Sequence, residues 1–259
     1  LIGIANSWNR VVPGHYNLNL VSEYVKQGIH QGSGTPIEFG MIAACDGIAQ
    51  GHEGMHYILP TRDLIANNIE MMVQAHRLDA IVLLGSCDKI VPGMLMAAAR
   101  LDIPAIVLVG GPMEGGCNFD GRAADTTSLT EGLGMLQTGK VDEETYLRLE
   151  DEATPTCGSC SFLGTANTMC AVAEAMGMSL PGSAAIPATH AARLRAAQTT
   201  GRRIVEMVHE NLTARKIIDQ KSIENGIRLS TAIGGSTNMA LHMPAIAYEA
   251  ECDMDMALF

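Results

Sequence analysis

Aromatic side chains are scarce in this 259-residue chain: Phe, Trp and Tyr together make up 4%. That leaves little with which to stack nucleic-acid bases. Positive charge is also scarce, with 17 Lys and Arg against 28 Asp and Glu and a formal net charge of −11. An acidic surface repels nucleic acid and anionic membrane, so neither is expected as a partner. Long apolar runs are missing. The two strongest, Ala80–Leu84 and Ile103–Val109, fall far short of the roughly 18 residues that span a bilayer. The N-terminus shows no secretory signal pattern. There is no repeat, no low-complexity tract and no G-x-G-x-x-G, since Pro112 sits inside the only near match, Gly110-Gly111-Pro112.

Apolar residues are plentiful at 47%, and the length is ample for a buried core. Seven cysteines are an odd number in a chain too long to need disulfide staples. They point to a reducing compartment, the cytoplasm, with thiols used as ligands or core filler. The chain starts on Leu1 in a strand-like run and ends at Phe259 just after a helical pattern. Both ends are expected to be cuts in a longer protein.

Strand-like and helix-like stretches alternate. Strands are expected at Leu1–Ala5, Glu38–Ala44, Ala80–Gly85 and Ile103–Gly110, with helices between them. Asn17 or Asn19 can cap the first helix and Thr61 the second, and Pro92 suits the first turn of the third. This βαβ rhythm predicts an α/β fold, a parallel sheet flanked by helices. The sheet part covers roughly 1–116 of a single 1–259 unit. The rest, roughly 117–259, reads as mainly helical, with helices at Asp142–Glu152, Ser161–Met176, Pro187–Leu212 and Asn238–Ala250.

Ligands in open α/β sheets bind beyond the carboxyl ends of the strands. Two strands here run into polar residues: Cys45-Asp46-Gly47 and Cys87-Asp88-Lys89. Asp46 and Asp88 on one rim would repel unless a cation lay between them, and a hard ion such as Mg²⁺ takes such oxygen ligands. Lys89 fits as a counter-charge, or as an oxygen ligand once carbamylated. A plain buried ion pair accounts for the same residues.

The pair Cys157-Gly158-Ser159-Cys160 precedes a helix. It reads as a redox dithiol, half a zinc site, an iron–sulfur site with Cys87 as third thiolate, or two buried thiols. Three thiolates on a four-iron cluster leave one iron open as a Lewis acid. Cys45 borders the acidic rim with no assigned role. His52-Glu53-Gly54-Met55-His56 matches the H-E-x-x-H zinc protease pattern, but that chemistry needs a stable helix and Gly51, Gly54 and Pro60 oppose one. Gly234-Gly235-Ser236-Thr237-Asn238 opens the last helix, either to hold an anion on free amides or with Ser236 or Thr237 as a simple cap.

Taken in order, these segments resemble the N-terminal part of the dihydroxy-acid and phosphogluconate dehydratase family. The anchors are Asn6-Ser7-Trp8-Asn9 with Val12-Pro13-Gly14-His15, Cys45–Met55, Gly85–Lys89 with Pro92–Met96, Gly110–Met113, Pro155–Cys160, Thr165–Met169 and Gly234–Asn238. The resemblance covers nearly the whole chain. It implies Cys87 and Cys160 as cluster thiolates, Asp46 and Asp88 as Mg²⁺ ligands, and Lys89 as the lysine that is carbamylated to bind the same ion. Some members carry a further cysteine just after the first-loop proline and hold a [2Fe-2S] cluster. Here Gly14-His15 stands there, so that ligand is missing; Cys157 can replace it, which favours [4Fe-4S].

The activity implied is dehydration of a small anionic 2,3-dihydroxy acid to a 2-keto acid in branched-chain amino-acid synthesis, by a homodimer. The base, a serine, and a further glutamate ligand would lie in a C-terminal domain that resembles nothing in this chain, so the chain alone should not turn over. A phosphogluconate or sugar-acid dehydratase, or a noncatalytic iron–sulfur module, are the alternatives.

Overall fold

The apolar runs of the first half form a four-stranded sheet, parallel throughout: β1 (Ile2–Asn6), β2 (Pro36–Gly40), β3 (Ala80–Leu84) and β4 (Ala105–Leu108), in the order β2-β1-β3-β4. The computed structural model describes residues 1–259, the side chain of Met256 excepted. Helix α1 (Leu18–Gln31) links β1 to β2; α2 (Asp46–Ala49) and α3 (Ile58–His76) link β2 to β3; α4 (Ile90–Leu101) links β3 to β4. A short hairpin, β5 (Asn118–Phe119) and β6 (Arg122–Ala123), follows. The remainder is helical: α5 (Thr126–Gln137), α6 (Glu143–Glu152), α7 (Thr165–Ala175), α8 (Ala191–His209), α9 (Gln220–Ala232) and α10 (Met239–Glu249).

Successive strand residues face opposite sides, and both sides of this sheet are covered. Ile2, Ile4, Val82 and Leu84 pack with Leu18 and Val25 of α1 and Ile204 of α8. Ala5, Ile81 and Leu83 pack on the other side with Ile65 of α3 and Leu95 of α4, in a core that extends to Val172, Ile227 and Met243 of α7, α9 and α10. That is why β3 is apolar at every position and fully buried, as strands covered on both faces are.

Several boundaries differ from the sequence expectation. Strand β2 ends at Gly40, not Ala44; Met41 donates one last bond to Asn6 O at 3.1 Å and the chain then leaves the sheet. Helix α3 begins at Ile58, so Thr61 lies inside it and its hydroxyl donates to Ile58 O at 2.6 Å instead of capping. Helix α7 begins at Thr165, not Ser161, because Asn167 Nδ2 holds the carbonyls of Cys160 and Phe162 at 2.5 and 2.8 Å and keeps that stretch a loop. Cys160 therefore does not sit on a helix N-terminus, and the dipole argument for a redox dithiol fails. Among the described residues no helix is long and apolar enough to cross a membrane.

Candidate functional site

Strand β1 is central: the chain runs first to β2 on one side, then to β3 on the other. The crevice beyond the carboxyl ends of β1 and β3 is thus a topological switch point, where such sheets bind ligands. The loops that leave these two strands are locked together. Ser7 Oγ donates to Leu84 O at 2.8 Å. His15 Nε2 accepts the amide of Ser86 at 3.1 Å, so its Nδ1 carries the proton and donates to Ser7 O at 2.8 Å. Ser86 Oγ in turn accepts the amide of Gly110 at 2.7 Å. Burial of His15 pulls its pKa down to about 4, so it is neutral. These bonds fix the backbone immediately before Cys87.

The Cys157–Cys160 loop arrives from the second half and is stitched to the loop after β4. Ser159 N donates to Gly111 O at 3.0 Å and Met113 N donates to Ser159 O at 2.8 Å. Gly158 is required here, because a Cβ would overlap the backbone of Pro112 and Met113. Ser159 Oγ adds a bond to Asn167 Oδ1 at 2.9 Å.

The result is one cavity of about 800 Å³ lined by Cys87, Cys160, Cys45, Asp46, Gly14 and Thr165, among others. Cysteines 87 and 160, 73 positions apart in the chain, open onto the same space. Cys157 does not line it and is exposed. Cys45, given no role by the sequence, does line it, and its thiol lies near that of Cys87. The nearness of Cys87 pulls Cys45 down to about 7, while that of Cys45 and burial push Cys87 well up. Burial and the charges of Asp46 and Cys45 push Cys160 to about 11. The cavity thus concentrates groups that are costly to ionise together in the absence of a cation.

The carboxylates divide. Asp46 faces the cavity, and burial plus the neighbouring Asp88 charge raise its pKa. Asp88 lies behind it, buried, paired with Lys89 Nζ at 2.7 Å. Burial alone would raise Asp88, but hydrogen bonds from His242 and Lys89 outweigh it and its pKa is lowered. His242 Nε2 lies 3.4 Å from Asp88 Oδ1 and Asn238 Nδ2 3.5 Å from Oδ2. Asn238 and His242 stand four residues apart at the start of α10, one turn of one helix face. The sequence analysis assigned His15 and His242 no role; the spacing of 238 and 242 was the only signal for the latter. Lys89 acts here as the counter-charge.

Other candidates resolve differently. His52 uses both ring nitrogens locally, on Ile48 O at 2.9 Å and Gly54 N at 3.0 Å, in a 3₁₀ turn over 53–57. The H-E-x-x-H match therefore lacks its helix. In the 234–238 loop the amide of Ser236 donates to Thr168 Oγ1 at 3.0 Å and that of Asn238 to Ser236 Oγ at 3.2 Å. Those amides are occupied, and Asn238, not Ser236 or Thr237, takes the cap position.

Among the described residues no three His, Cys, Asp or Glu side chains converge closely enough to hold a single ion. Thiols spread around a cavity suit a multi-iron group, whose ligands attach to different irons. The donor set fits such a group, with the carboxylate of Asp46, the oxygen type that hard ions take, on the same cavity.

The family model described as "Dihydroxy-acid/6-phosphogluconate dehydratase N-terminal" matches residues 1–259. The chain belongs to this family. Among curated relatives, the dihydroxy-acid dehydratase of Methanoregula boonei is 53% identical over 258 residues, 100% of this chain and 47% of the relative. That of Ignicoccus hospitalis is 52% identical over 260 residues, 100% of this chain and 47% of the relative. That of Caldanaerobacter subterraneus is 51% identical over 256 residues, 99% of this chain and 46% of the relative. This dehydratase-family chain therefore spans about half the length of the curated relatives it matches.

Proposed function

We propose that this chain supplies the cluster-binding half of a dihydroxy-acid dehydratase, a hydro-lyase that converts a 2,3-dihydroxy acid to a 2-keto acid in branched-chain amino-acid synthesis. The observation that carries the reading is the meeting of Cys87, Cys160 and Asp46 in one cavity at the switch point. The homodimer expected from the family resemblance and the cytoplasmic location expected from the cysteine usage belong to the same proposal.

Cys87 and Cys160 would hold an iron–sulfur cluster, with [4Fe-4S] favoured over [2Fe-2S]; Cys157, the third thiolate expected from the sequence, stands outside the cavity. Asp46, Asp88 and a carbamylated Lys89 would hold Mg²⁺. When bound, these groups supply Lewis acidity, gripping the acid's oxygens and easing departure of its C3 hydroxyl. The chain's own residues prepare that site. His15 and Ser86 fix the loop before Cys87, Asn167 fixes the loop after Cys160, and Asn238 with His242 orient Asp88. Among the described residues no lysine or arginine lines the cavity. That favours a carboxylate held through a metal ion over a phosphorylated acid, which would call for basic side chains.

The test is keto-acid formation from 2,3-dihydroxy-3-methylbutanoate by anaerobically purified protein carrying a second half of the length found in the relatives. Turnover that requires both iron and Mg²⁺ supports the reading. An iron-loaded protein that never dehydrates this acid is a noncatalytic cluster module or acts on another substrate, and the proposal falls.

A further inference from the structure

The third thiol of the cavity is not the one the sequence favours. Resting on the reading that Cys87 and Cys160 bind a cluster, we infer that Cys45, not Cys157, is its third protein ligand.

Three observations agree. Cys45, Cys87 and Cys160 line one cavity, and Cys157 is absent from that lining. The Cys45 thiol lies near the Cys87 thiol. Cys157 is exposed. The backbone explains the difference. Gly158 lies flat against Met113 and Ser159 is bridged to Pro112, which turns Cys160 inward and leaves Cys157 outside. Cys45 reaches the cavity because the chain leaves the sheet after Met41 and arrives just ahead of α2.

Position 14 completes the argument. A Cβ built on Gly14 would lie 3.1 Å from Cys87 Sγ, so a side chain there would enter the same space. Glycine contributes none. The cavity of this chain is left with thiols from the β2, β3 and 157–160 loops, and with none from the β1 loop. Each thiol gives up its proton to solvent as its sulfur bonds iron; no electron is transferred.

The test uses the full chain loaded anaerobically with sulfide and equal amounts of ferrous and ferric iron, the two oxidation states a resting four-iron cluster contains. Iodoacetamide is added before and after iron removal by a chelator, and modified cysteines are read by mass spectrometry. In the loaded protein Cys157 should be alkylated, while Cys45, Cys87 and Cys160 should be protected until the iron is removed. In parallel, Cys45→Ser and Cys45→Ala should lower bound iron several-fold and alter the electron paramagnetic resonance of the reduced cluster. Cys157→Ser should match the parent in both. Protection of Cys157, loss of iron in Cys157→Ser, a Cys45–Cys87 disulfide in the loaded protein, or full iron in both Cys45 variants would each overturn the assignment. Cys87→Ser and Cys160→Ser separate the two levels: if they also keep full iron, the cluster reading itself fails.

Discussion

His15 accepts the amide hydrogen of Ser86 and returns its own to Ser7 O, so one neutral ring joins the ends of two parallel strands. Both bonds are buried, and each strand end leads into the cavity that holds Cys87. The ring can do this only while uncharged, since protonated Nε2 has no lone pair for the Ser86 amide.

Folding stability should therefore fall in acid. The pKa of His15 drops from an ordinary 6.5 to about 4 in the fold. Its stabilisation is full above pH 6.5, where both states are neutral, and is lost as pH falls toward 4, because the unfolded chain binds the proton first. Between pH 7.5 and 5 this amounts to about 2 kcal/mol. Urea unfolding at the two pH values checks it, and His15→Gln should show a shallower dependence than the parent. Burial lowers the pKa of His242 as well, so it adds in the same sense.

Asp88 and Lys89 are a buried pair, and breaking it from one side strands a charge. Asp88→Asn should destabilise the chain by roughly 3 kcal/mol. Adding Lys89→Met should recover part of that loss, as seen in thermal melts of the two variants. In iron-loaded protein that carries the second half found in the relatives, Asp88→Asn should keep the cluster spectrum and lose the proposed Mg²⁺-dependent turnover. A variant that loses iron in step with turnover would show that Asp88 serves the cluster instead.

His242→Ala removes a hydrogen bond to Asp88 without touching a thiol. Mg²⁺ affinity should weaken by roughly 10- to 100-fold, the range for partners that orient metal ligands. Iron content should be unchanged. Titration calorimetry with Mg²⁺ and iron assay on the same sample give both readings.

Gly158→Ala forces the loop bearing Cys160 away from Met113. A cost of about 1–3 kcal/mol is expected from the overpacking, together with reduced iron binding. Parent-like iron content would mean that the loop's seating on Met113 does not set the position of Cys160.

The sheet was legible because β1, β3 and β4 are short apolar runs between amphipathic helices. Strand β2 was shifted because it is an edge strand, half solvated, with Ile37 and Glu38 exposed and only Phe39 buried. The start of α7 was misplaced because a side chain, Asn167, competes for the backbone ahead of it, which no local pattern reveals. At the site, the motifs singled out Cys87, Asp46 and Cys160, which line the cavity, and Asp88, which does not. The sequence favoured Cys157 as a third thiolate and left Cys45 without a role, because which of the two faces the cavity rests on which way two loops turn. His15 escaped notice because a buried neutral histidine leaves the same trace in sequence as any other.

The central claim is that sulfurs distant in sequence meet to hold iron. Iron-edge anomalous diffraction from crystals of the loaded protein, grown without oxygen, tests it most directly. The account predicts the anomalous signal of one cluster, with Cys87 Sγ and Cys160 Sγ each bonded to an iron of it. Iron bound at any place that leaves either sulfur free would contradict it.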